Sequence, residues 1–178
     1  MSDERLVSRF FRVEAFVDMA VEPRRGGPGL APVEARRLSR EAYRALEGLS
    51  SRRDAEVKHA LGLVLDALTA MERELEIIQR RNLLQSRGVE LRPLRAFIGG
   101  DGMVADEALP IIGEATVHLS LPVRGHTELL SVDAHIEPDT RTVRFRDVAD
   151  SVRDVLVAFT FEQQRKERRR ELDAVPGD

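Results

Sequence analysis

The sequence has no cysteine and no tryptophan, a single tyrosine, and aromatic residues at only 4% of its 178 positions. Without cysteine there is no disulfide, no thiol nucleophile and no thiolate metal site, and the composition fits a reducing compartment. Long uninterrupted apolar runs are missing too, so no segment reads as a membrane helix. The amino terminus, Met1-Ser2-Asp3-Glu4-Arg5, carries charges and has no apolar run behind it, unlike a secretory signal. Nor is there a surplus of one charge. With 28 basic and 31 acidic residues the formal net charge is -3, which offers no electrostatic case for nucleic acid or anionic lipid. These absences predict a soluble, cytoplasmic protein of about one domain.

Catalytic signatures are equally scarce. No Gly-x-Ser-x-Gly or His-Glu-x-x-His constellation occurs, and the carboxylates Glu72, Glu74 and Glu76 read as a solvated helix face. His118, His126 and His135 lack the close, repeated spacing of a metal site and read as ordinary histidines. The basic run from Arg165 to Arg170 is interrupted by Glu167 and has no aromatic platform, so it reads as a solvated helix end favoured by the dipole. The sequence therefore predicts neither an enzyme nor a nucleic-acid adaptor.

What the chain does have is a seam. Val57, Leu61, Val64, Leu68, Met71, Leu75, Ile78 and Asn82 follow one another at alternating steps of four and three. That spacing aligns them on one side of a long helix and averages 3.5 residues per turn, so supercoiling against another helix keeps them facing it. With the Val/Met/Ile set lettered a and the Leu/Asn set lettered d, the pattern leans towards two parallel strands. Leu63, Ala70 and Ile77 beside the seam are apolar as well and widen the stripe towards a larger bundle. Dimer and tetramer both stay open, and Asn82 is expected to set the register.

Taken in order, Arg12 to Val21 alternates apolar and polar as a half-buried strand, and the loop with Gly26-Gly27-Pro28-Gly29 ends it. Val33 to Leu49 reads as a first helix. Ser51 and Asp54 then form a capping box for a second, which runs to about Gln85 and stops at Gly88. Residues 33–86 thus form an inserted helical pair within one domain spanning residues 1–178. Strands follow at Glu90 to Ile98, Met103 to Ala105, Glu114 to Leu121, Glu128 to Ile136 and Arg141 to Asp147, as in an antiparallel barrel. A last helix runs from Asp150 or Ser151 to Glu171, with Val155 to Phe161 as an alternative strand.

Three local stretches in this order resemble the PilZ domain. Arg9-Phe10-Phe11-Arg12-Val13 resembles the arginine-bearing approach to that family's first strand. Phe97-Ile98-Gly99-Gly100-Asp101-Gly102-Met103 resembles its Asp/Asn-x-Ser-x-x-Gly turn. Gly113 to Pro122 and the later Phe159 to Arg165 resemble its middle strand and terminal helix. The resemblance covers about two-thirds of the chain and leaves out the inserted helices. It implies an α+β fold, a six-stranded antiparallel barrel with a C-terminal helix, to which the insertion adds an intermolecular coiled coil.

The same resemblance implies a ligand and then weakens it. Family members often bind cyclic di-GMP through an Arg-x-x-x-Arg pair and the turn, which here would mean Arg5, Arg9, Arg12, Gly99, Asp101 and Gly102. Aligning Arg12 with the second arginine leaves Ser8 at the first, although Arg5 and Arg9 have the spacing. Phe97 stands at the acid or amide and Gly99 at the serine, so hydrogen-bonding groups are lost. The expectation is a non-enzymatic signalling or adaptor protein with no cofactor, homo-oligomeric through its heptad helix. By family analogy its protein partners would belong to bacterial signalling, pilus or motility control. The alternative is a cyclic di-GMP receptor regulating motility, type IV pili or virulence.

Overall fold

The computed structural model describes residues 12–24, 30–31, 42, 44, 47 and 54–173. Two compact units divide the chain, Met1–Pro32 with Leu84–Asp178, and Val33–Leu83. The first unit holds six strands that close into one antiparallel barrel in the order β1-β2-β3-β6-β5-β4. They are β1 Val13–Pro23, β2 Arg92–Ile98, β3 Gly102–Ala105, β4 Gly113–Val123, β5 His126–Ile136 and β6 Thr142–Phe145. The predicted number of strands is met, and their bounds shift by a residue or two: the ladders of β1, β4 and β5 run past the predicted ends, while β2 and β6 are shorter than predicted.

Alternation explains which way each strand faces. Val13, Ala15, Val17 and Met19 point into the barrel while Glu14, Phe16 and Asp18 point out. On β4 the inward residues Ala115, Val117, Leu119 and Leu121 are fully enclosed, as are Leu130 and Ala134 on β5. Helix α2, Asp150–Asp173, adds Val152, Leu156 and Phe159 to the same core. It is a helix throughout, so the alternative strand at Val155 to Phe161 is not formed.

Turn chemistry fixes the registers. Arg124 and Gly125 both take positive φ, 52° and 80°, which is the two-residue hairpin that suits right-twisted strands and pairs Val123 with His126. Between β5 and β6 the Asp139 carboxylate accepts the backbone N–H groups of Arg141 and Thr142, at 3.0 and 2.9 Å, and the Thr142 hydroxyl at 2.6 Å. Those donors favour its ionised form and hold its pKa below the usual value.

Helix α1, Asp54–Ser86, runs 33 residues, or roughly 50 Å at 1.5 Å per residue. Its end is a Schellman motif. The N–H of Val89 reaches the C=O of Leu84 at 3.0 Å, that of Gly88 reaches Gln85 at 2.9 Å, and Gly88 takes φ 75°. Leu84 and Val89, the apolar pair the motif calls for, are both buried. Of the predicted first helix, Val33 to Leu49, only Ala42, Arg44 and Glu47 are described, and these are helical; the rest lies outside the described residues, as does Ser51 of the capping box.

Candidate functional site

The predicted seam is where α1 is bare. Val57, Leu61, Val64, Leu68, Met71, Leu75 and Ile78 are 44–59% exposed, and Asn82 is exposed with them. One position on, about 100° round the helix, a half-buried stripe runs through Lys58, Gly62, Leu65, Thr69, Glu72 and Glu76, and Arg73, the buried Ile77 and Arg80 widen it towards its end. The covered stripe is mainly polar and the uncovered one almost wholly apolar, the reverse of a helix that has found all its partners. Within the covered stripe, Arg80 Nε donates to Glu76 Oε1 at 3.1 Å, one turn apart.

The direction of the steps corrects the heptad lettering. The three-residue step, from a to d, runs from Leu61 to Val64 and from Leu68 to Met71. Leu61, Leu68, Leu75 and Asn82 are therefore the a positions, and Val57, Val64, Met71 and Ile78 the d positions. Leu at a with β-branched residues at d turns the preference from two strands to three or four.

The second predicted site is the turn between β2 and β3. Gly99 and Gly102 are buried and Asp101 half-buried. The Gly99 N–H donates to the Gly102 C=O at 2.9 Å, and the Asp101 C=O accepts the Phe145 N–H at 3.0 Å. Gly102 is needed for contact rather than for φ, since a Cβ there would lie 2.3 Å from the Val143 carbonyl oxygen on β6. Phe97 projects outwards from β2 and is half exposed. Arg12 precedes β1, and its Nε and the Asp101 Oδ1 are buried without a hydrogen-bond partner among the described residues. Arg5 and Arg9 lie outside the described residues.

The three histidines singled out in the sequence, His118, His126 and His135, resolve into separate pairs, each with a carboxylate. His126 Nε2 lies 2.9 Å from Glu128 Oε1, and His135 Nδ1 lies 3.0 Å from Glu114 Oε1. Glu114 Oε1 also accepts from Arg146 at 3.1 Å. His118 is the buried one, with Nε2 3.1 Å from Glu22 Oε1 and Nδ1 2.7 Å from Ser131 Oγ. All three residues face outwards from β1, β4 and β5, yet each is buried. Burial pushes the His118 pKa down, opposed by the Glu22 carboxylate. A neutral imidazole donates from Nε2 to the carboxylate and accepts the serine hydroxyl at Nδ1. Sequence reasoning passed over Glu22 and Ser131, because strand alternation places them on the face it assigns to solvent.

A cleft of about 800 Å³ opens at the other end of β1 and β2 from this turn, between Met19–Pro23, Arg87–Glu90, Arg92–Leu94 and Glu107–Pro110. It is mixed in character, with Arg87 and Arg92 set among Glu22, Glu90 and Glu107. No described helix is long and apolar enough to cross a membrane.

No family model matches the chain, and no curated protein matches it. Among solved structures it is similar to the crystal structure of a pathogenic protein from Xanthomonas campestris, described as a new tetrameric PilZ domain self-assembled via an unusual helical bundle. The identity is 18% and the TM-score 0.48, over 91% of this chain and 92% of that one.

Proposed function

We propose that this is a non-enzymatic, PilZ-like signalling or adaptor protein that assembles through α1 and does not bind cyclic di-GMP in the usual way. The observation that carries the reading is the row of seven large apolar side chains left exposed at heptad spacing on a helix whose neighbouring stripe is covered. A second copy supplies the matching seam. Leu at a and β-branched residues at d favour a tetramer over a dimer, and Asn82 favours a parallel, in-register arrangement. There the Asn82 amides meet each other in one layer. An antiparallel bundle centred on the seam would set them against Val57 and strand a polar group among methyls. Glu76 and Arg80 pair along the helix and leave the seam apolar.

For the barrel, the support lies in the turn. The Gly99 N–H, a donor a phosphate would call on, is already given to the Gly102 C=O, and Phe97 offers no hydrogen bond. The alternative, a cyclic di-GMP receptor, draws on one observation: Arg12 Nε and Asp101 Oδ1 are buried without a partner among the described residues. Light scattering and titration calorimetry test both parts together. The expected result is a tetrameric assembly that Leu68→Asp with Leu75→Asp takes apart to monomers at low micromolar concentration, and no heat from cyclic di-GMP. A monomeric wild type sinks the assembly reading, and saturable binding weakened by Arg12→Ala sinks the ligand reading.

A further inference from the structure

An aromatic-poor chain spends two of its seven phenylalanines on one exposed face of the barrel. Phe16 on β1 is 76% exposed and Phe97 on β2 is 48% exposed. The β1–β2 register sets Glu14 opposite Phe97 and Phe16 opposite Arg95. All four side chains point outwards, so they form a two-by-two block. One diagonal of that block is aromatic, Phe16 to Phe97. The other is charged, and along it Arg95 donates to Glu14 in a salt bridge. Val104 of β3 lies beside Phe97 and extends the apolar part.

This block is complementary to itself. A two-fold axis lying along the aromatic diagonal sets Phe16 on Phe16 and Phe97 on Phe97 of a second copy, and exchanges the two ends of the charged diagonal. Each Glu14 then faces the other copy's Arg95. No other simple two-fold does this: an axis along the charged diagonal would set Glu14 on Glu14, and axes along or across the strands would set charges on rings. The contact is isologous, aromatic at its centre and ionic at its flanks, with the arginine and aromatic content of protein interfaces. We propose that the outer face of β1 and β2 is a second self-association surface, through which two barrels pair by Phe16, Phe97, Glu14 and Arg95. It does not depend on the α1 seam, and two such interfaces on one chain would let assemblies join to one another.

The test uses the full chain with Leu68→Asp and Leu75→Asp to silence the seam, in sedimentation equilibrium up to about 1 mM. The expected result is a reversible dimer. Phe16→Ser with Phe97→Ser, and Glu14→Arg alone, weaken it about tenfold or more, because each change counts twice across a two-fold contact. Glu14→Arg with Arg95→Glu restores it. Thermal unfolding checks that the variants stay folded, which is expected for exposed positions. A chain monomeric at every concentration, or a dimer indifferent to these changes, overturns the proposal. Should the seam variant stay larger than a dimer, the seam reading has failed separately, and cross-linking decides this one. The chain has no cysteine, so Phe16→Cys gives a single thiol near the two-fold axis. A short bismaleimide should join two chains there, Glu14→Arg should suppress the product, and Ile112→Cys should give none. Equal yields from Phe16→Cys with and without Glu14→Arg refute the contact.

Discussion

Replacing Leu68 and Leu75 by Ala should loosen the assembly without unfolding the helix, by an amount their exposure sets. In the single chain the two side chains are 50% and 56% exposed. Fully burying a leucine contributes about 1.5–3 kcal/mol, so burying the exposed half of both contributes about 1.5–3 kcal/mol per chain. Truncation inside packed layers adds a cavity cost, while alanine's higher helix propensity returns a few tenths, which leaves a net loss of about 2 kcal/mol per chain. In the proposed tetramer, four chains losing about 2 kcal/mol each, spread over three association steps, raise the midpoint of dissociation roughly 100-fold in protomer concentration. Light scattering across a dilution series reads that midpoint, and far-ultraviolet circular dichroism confirms that helix content is kept. Ile112→Ala is the control, since Ile112 is 60% exposed but lies off the helix. The reasoning fails if the leucine variant keeps the wild-type midpoint, or if Ile112→Ala moves it as far.

The buried Glu22–His118–Ser131 array predicts that His118→Ala destabilises the barrel by about 3 kcal/mol in urea unfolding, because it removes an imidazole hydrogen-bonded to both a buried carboxylate and a buried hydroxyl and leaves a cavity in its place. Its titration predicts a slope as well. The folded pKa of His118 lies below the ordinary 6.5, so the unfolded chain takes up the extra proton. Its contribution is complete above pH 6.5 and is lost as the pH falls towards the folded value, and His118→Gln should flatten the unfolding midpoint across that window. A parallel decline in the variant would remove His118 as the cause. In α1, a Cβ at Gly62 would meet nothing within 4 Å, so Gly62→Ala should stabilise the helix by about 1 kcal/mol, seen as a higher melting temperature. A lower one would mean that the half-buried stripe has no room there.

Much of the barrel was legible because its signals are local. Val13 to Met19 alternates, Arg124-Gly125-His126 marks a break between strands, and Gly88 ends α1 by a motif written in six residues. The seam was legible for the same reason, being a property of one helix, although the step order had to be followed along the chain to letter it correctly. The Glu22–His118–Ser131 array was not legible, since its members come from three strands and join only when β1 pairs with β4 and β4 with β5. Alternation assigned that outer face to water. The pairing of Phe16 and Phe97 was hidden likewise, because they lie 81 positions apart and only the β1–β2 register makes them diagonal neighbours.

Gly102 separates a folding role from a ligand role at the turn that resembles the family's binding motif. Glycine is a common solution for a phosphate cradle, and its presence there tempts a functional explanation. The strand pairing supplies a different cause. On β3 the Gly102 backbone pairs with Arg144 of β6, and a Cβ would sit 2.3 Å from the Val143 carbonyl oxygen, a backbone atom that cannot swing aside. Gly102→Ala therefore has to push β3 and β6 apart at a point where each is only four residues long. Overpacking of this kind costs about 1–3 kcal/mol, and two short strands leave few neighbouring bonds to spread the strain. Urea unfolding should show that loss in the absence of any nucleotide. A cradle would behave oppositely, because alanine would leave the free protein as stable as before and affect only a complex. An unchanged unfolding midpoint in Gly102→Ala would return this glycine to the list of ligand-binding candidates.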